Sequence, residues 1–117
     1  MPDEYNALVA ELKTLQQGDE ILPMAEDEWN TRPESESYGT VRLDFEADAL
    51  RGDDIKVAEA HEGSVDLYSE ARNGAGWIPL IRSVLTKHCG GCWYLNHHAH
   101  ERETGLFHWE WAFQVGD

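Results

Sequence analysis

Eight consecutive residues constrain this fold more than any others. Val41, Leu43, Phe45 and Ala47 alternate with Arg42, Asp44, Glu46 and Asp48. Apolar side chains at period two predict a strand with one face buried and the other in water. After Arg51-Gly52-Asp53-Asp54 the alternation resumes at Val57, then in Val65 and Leu67 against Asp66 and Tyr68. The pattern predicts a long antiparallel hairpin whose tip at Arg51 to Asp54 extends beyond the sheet. Gly63 marks a candidate bulge within it.

A second hairpin closes the sequence. Trp93, Leu95 and Ala99 alternate with Asn96, His98 and His100, and a polar turn runs from Glu101 to Gly105. The return strand sets Phe107, Trp109, Trp111, Phe113 and Val115 on one face and His108, Glu110 and Gln114 on the other. Fully covered aromatic rings bury about 150–250 Å² each, so that face is core or interface.

Two segments carry the helical period instead. Tyr5, Leu8, Val9, Leu12 and Leu15 recur at three- and four-residue steps, predicting about three turns stopped by Gly18. Asp3 and Glu4 suit the start of that helix. Pro79 suits the first turn of a second helix with Leu80, Ile81, Val84 and Leu85 as its stripe, ended by Gly90-Gly91. Between the first helix and the hairpin, Ile21-Leu22-Pro23-Met24 begins a short edge strand. A polar loop from Glu26 to Ser37 follows, anchored by Trp29. The expected fold is therefore α+β: an antiparallel sheet of about four to five strands with both helices on its apolar face, in α-β-β-β-α-β-β order. One domain spans residues 1–117, near the modal domain size.

Charge narrows the range of functions. The net charge is −14, and residues 1–60 hold sixteen acids against five bases. Such a chain is repelled by nucleic acid and anionic lipid, and its nine Lys and Arg are scattered rather than gathered into a basic patch. No apolar run is long enough to span a membrane, and the acidic start is unlike a signal peptide, so the chain is expected to begin in the cytoplasm.

Candidate chemistry is sparse. Cys89 and Cys92, with His98 and His100, have zinc-like spacing, yet one Cys-x-x-Cys supplies only two of four ligands. Cys89 also falls on the buried stripe of the second helix, where a free cysteine acts as a small hydrophobe. The pair follows a helix C-terminus, which opposes the thiol activation a redox site needs. Asp44, Glu46 and Asp48, about 7 Å apart along the strand, suit a solvated face more than a cation site, and Arg42 shares their row. The serines have no nucleophile-elbow context and no phosphate-binding loop is present. Neither an enzyme nor a cofactor is expected.

The order of elements, with Trp29-Asn30-Thr31-Arg32-Pro33, Tyr38-Gly39-Thr40-Val41, Gly63-Ser64-Val65-Asp66-Leu67-Tyr68 and His108-Trp109-Glu110-Trp111, resembles the tail terminator (tail-completion) group of long-tailed bacteriophages. The Cys-Gly-Gly-Cys segment and the histidine cluster depart from that group. The resemblance implies a virion protein of the tail and neck, assembled in the host cytoplasm. It would form a ring, usually of six copies, that ends tail-tube growth and joins tail to head. Its implied partners are further copies of itself, the tail-tube protein and a head-completion or connector protein. DNA would pass without specific binding, and no membrane is involved. Interface candidates are Trp29, Arg51, Asp53 and Asp54, and Asp44, Glu46 and Asp48 are candidates for a DNA-repelling lumen. A head-completion protein of the same joint, an acidic DNA mimic that inhibits a DNA-binding protein, and a zinc-stabilised binding module remain as alternatives.

Overall fold

The computed structural model describes residues 3–46 and 61–116. Helix α1 covers Asp3–Leu12, and a minimal ribbon pairs β1 (Gln16–Gln17) with β2 (Glu20–Ile21). The main strands are β3 (Met24–Glu26), β4 (Ser37–Glu46), β5 (His61–Ser69), β6 (Trp93–His100) and β7 (Phe107–Val115). A 3₁₀ turn at Gly74–Gly76 leads into α2 (Trp77–Cys89), which separates β5 from β6. The five strands form one sheet in the order β3-β4-β5-β7-β6. The α+β class and the sequence of helix, edge strand, hairpin, helix and hairpin are those expected from the sequence.

Three local expectations need correction. The sheet is mixed rather than antiparallel, because β3 pairs in parallel with β4, Met24 opposite Gly39. Residues 27–36 carry the chain back beside the start of β3. Trp29 fixes the return by donating its indole N–H to the Gly39 carbonyl at 2.9 Å. Helix α1 stops at Leu12 rather than running to Gly18, since the Thr14 hydroxyl bonds the Glu11 carbonyl and the chain turns there. Gly18, at φ +61°, serves the β1–β2 turn instead.

The third correction concerns phase. The β6–β7 register jumps between Leu95 and His97, so Asn96 is an extra residue in β6. His98 and His100 consequently stand opposite Trp109 and Phe107, on the aromatic face rather than the polar one. A similar irregularity lies in β4 between Leu43 and Glu46. There the backbone register sets Glu46 opposite His61.

The core lies between the helices and one face of the sheet. Tyr5, Leu8 and Leu12 of α1 meet Trp77, Ile81 and Leu85 of α2 over Val41, Val65, Trp111 and Phe113. Phe113 stacks on Tyr5 with ring centroids 6.5 Å apart. Gly63 makes room for that ring: a Cβ there would lie 2.6 Å from Phe113 Cζ and 2.3 Å from the Arg42 carbonyl oxygen. Gly63 itself carries no bulge: its strand runs in unbroken register along β7, and the extra residue lies across from it in β4, after Leu43. His88, near the end of α2, joins the two helices through Glu4 and Glu11 of α1, and Lys87 adds a 3.1 Å contact to Glu11.

Candidate assembly surface

Among the described residues, helices cover one side of the sheet. On the other side, strand register brings Tyr38 of β4 opposite Tyr68 of β5, and Tyr68 opposite His108 of β7. Their rings stack across the strands: Tyr38 on Tyr68 at 5.1 Å and Tyr68 on His108 at 4.3 Å. His97 of β6 meets His108 edge-on at 5.3 Å, and Trp29 meets Tyr38 edge-on at 6.3 Å. The Arg32 guanidinium lies 5.6 Å above the Tyr38 ring. Five rings thus run across the open face, each supplied by a different loop or strand.

His108 is the electrostatic centre of this row. Its Nε2 lies 2.7 Å from Asp66 Oδ1, and its Nδ1 is 3.0 Å from Glu101 Oε2, an ion-pair contact without in-line hydrogen-bond geometry. A neutral imidazole has a single N–H to donate, so two carboxylates on two nitrogens favour the imidazolium. Burial pulls its pKa down, but the Asp66 bond and the charges of Asp66 and Glu101 outweigh burial and hold it above the ordinary histidine value. Burial first, and then the Asp66 and Glu101 charges, push the Tyr68 hydroxyl up to about 12. Burial likewise raises Tyr38. A shallow cavity of about 430 Å³ opens beside the row, floored by Tyr38 and Tyr68 and rimmed by Arg32, Asp66 and Glu101.

Around this row the acids of the open face are partnered. Arg42 Nε donates to Asp44 at 3.1 Å and its other end lies 4.0 Å from Glu110. Asn96 also donates to Glu110, and Gln114 to Glu62. The result is a solvated, cross-linked polar face.

The sheet also has a long free edge. Among the described residues β6 pairs only with β7, and both of its faces reach solvent beyond the helix layer. Tyr94 is 60% exposed on the open side and Leu95 is 49% exposed on the helix side. They are two of the three exposed large apolar side chains among the described residues.

The residues singled out from sequence fall in separate places. Cys89 is buried in the core, and burial first, then Cys92, push its thiol up to about 12. Cys92 is exposed, and both thiols are free. His98 stacks on Trp109 at 4.8 Å and His100 on Phe107 at 4.1 Å. Five residues of strand, roughly 16 Å, separate His98 from Trp93 beside Cys92. Among the described residues no three His, Cys, Asp or Glu side chains converge to hold a metal ion. Trp29 is half-buried as the anchor of its loop. Asp44 is exposed beside Arg42. The Glu46 side chain, Asp48, Arg51, Asp53 and Asp54 lie outside the described residues.

The ring row is not legible in the sequence. Tyr38, Tyr68 and His108 occupy polar-face positions on three strands, and their meeting depends on β5 pairing with β7, which no local pattern encodes. Among the described residues no helix is long and apolar enough to cross a membrane. No protein-family model matches the chain, and no curated protein is significantly similar to it.

Proposed function

We propose that this chain is a structural subunit of the tail-terminator kind found in long-tailed bacteriophages. It acts by assembly alone: copies close into a ring, usually of six, that stops tail-tube growth and joins tail to head in the virion. The reading is carried by one observation. Among the described residues the helices cover a single side of the sheet, leaving a ring-lined face and an eight-residue edge strand open. A subunit with one finished side and one unfinished edge is suited to being completed by neighbours. The order of elements and the quoted phrases support the same reading. So does the charge of −14, which lets DNA slide past without sticking.

The remaining partners are the tube protein and a head-completion or connector protein. A head-completion protein of the same joint is the near neighbour of this reading, and binding to connector in place of tube would identify it. The DNA-mimic alternative draws less support, because Asp44, Asp66 and Glu110 are tied to Arg42 or His108 rather than set in free rows. Native mass spectrometry and negative-stain microscopy test the proposal. Rings that form with rising concentration, or on adding tube protein, are expected. Monomer alone under every one of those conditions would sink it.

A further inference from the structure

All twenty-three Asp and Glu residues lie outside residues 71–100. That acid-free stretch comprises α2 and β6 with their connections, and the two elements adjoin where Arg82 lies 5.6 Å over the Trp93 ring. The stretch is not a strongly basic patch either. Arg82 is held over Trp93, Arg72 lies 5.3 Å over Phe107, and Lys87 and His88 are engaged by Glu4 and Glu11. Arg72 and Arg82 keep their charge over those rings, so the stretch itself is mildly positive, although Glu110, bonded by Asn96, and Asp44 and Glu62 lie beside the open side of β6. The stretch also carries the free edge of the sheet, with Tyr94 and Leu95 exposed on its two sides. β6 contains no acid, lysine or proline to discourage strand pairing, and the Asn96 bulge is its only blunting device.

Two copies of a chain with charge −14 repel each other over most of their surfaces. Approach costs least where one partner offers no acids. The opposite edge of the same sheet is the acidic counterpart: β3 ends in Glu26, and Asp27 and Glu28 follow. We infer that the acid-free β6 edge is the docking surface for a second copy of this chain, received at its acidic β3 side. The contact is heterologous, so each copy keeps one free surface of each kind and the array grows until it closes. The inference rests on the ring-forming proposal and specifies which faces meet.

Sedimentation velocity over a concentration series, on the full chain, tests it. Leu95→Glu puts an acid on the exposed edge and is expected to weaken self-association at least tenfold. Tyr94→Glu, on the other side of the same strand, is expected to do the same and guards against a fold defect in either variant. Ala10→Glu, which adds the same charge at an exposed position of α1, is expected to associate like the wild type. Glu28→Lys is expected to weaken association from the other side. Mixed with Leu95→Glu, it is expected to form a one-to-one dimer that grows no further. Wild-type assembly by both β6 variants overturns the inference and leaves the ring reading standing, whereas monomer from every protein overturns both. Loss of assembly in the β6 variants with none in Glu28→Lys overturns the head-to-tail pairing. Retardation of duplex DNA by wild type, abolished in Leu95→Glu, would make nucleic acid the occupant and overturn the inference as well.

Discussion

His108 and Asp66 meet at 2.7 Å on the uncovered face of the sheet, between strands far apart in the chain. His88 repeats the arrangement between the two helices, with Glu4 and Glu11 on its two nitrogens. In both places histidine is held between two carboxylates, and its folded pKa lies above the ordinary value of 6.5. A raised histidine contributes stability in full below its unfolded pKa and loses it as pH rises through the folded one. Thermal melts should therefore show stability falling above about pH 6.5. The His88→Gln, His108→Gln double variant should lose that slope. An unchanged slope in the double variant would refute the assignment.

Replacing His88 alone should loosen α1 more than the rest of the molecule. Glu4 and Glu11 are partly exposed, so the loss is discounted for solvent to about 1 kcal/mol. Hydrogen exchange should quicken at Leu8, Val9 and Leu12 in His88→Gln while Val65 and Trp111 stay protected. Glu11, whose pKa is lowered first by its bond to His88 and then by Lys87, contributes with the opposite sign. Its share is present above the ordinary carboxylate value and disappears as pH falls.

Two glycines should respond oppositely to alanine. At Gly63 a Cβ would meet the Arg42 carbonyl and the Phe113 ring, so Gly63→Ala should cost about 1–3 kcal/mol. At Gly91 nothing lies within 4 Å, and Gly91→Ala should fall within about 0.5 kcal/mol of wild type. Urea denaturation measures both, and equal effects would refute the packing argument.

The two thiols should separate cleanly. Cys92 is exposed and Cys89 is buried with its pKa pushed up to about 12. A thiol-specific chromogenic reagent at pH 8 should titrate one group quickly in the native protein and the second only on unfolding. Simultaneous reaction of both in the folded state would contradict this geometry.

Chelator should leave the melting temperature unchanged. His98 and His100 lie against Trp109 and Phe107, apart from the cysteines, and Cys89 is occupied as a core residue. A fall in melting temperature with EDTA, restored by zinc, would revive the zinc-module alternative.

The legible parts of this fold were those carried by local periodicity. The alternation in Val41, Leu43 and Val65, Leu67 gave β4 and β5, and the aromatic series from Phe107 to Val115 gave β7. Bulges were not legible, because one inserted residue at Asn96 leaves a pattern that still alternates on either side. That is why the alternation alone predicts the wrong face for His98 and His100. The parallel pairing of β3 was hidden for another reason: it depends on a Trp29 bond to Gly39 across a loop. The centre of the ring row and the two histidine clamps rest on contacts distant in the chain, such as Tyr38 with Tyr68, His108 with Asp66 and His88 with Glu4. Individual residues could be nominated from sequence, but their partners could not.

The position of β7 bears on how the chain folds while it is being made. β7 comes last in chain order among the strands, yet it lies inside the sheet between β5 and β6. Until residues 107–115 leave the ribosome, β6 has no neighbour and β5 lacks one, and the helices have no complete floor to settle on. The nascent chain can therefore form β3, β4 and β5 but cannot finish its core. A chain stopped short of residue 107 leaves unpaired edges on both β5 and β6, and β7 is the strand that fills the gap between them.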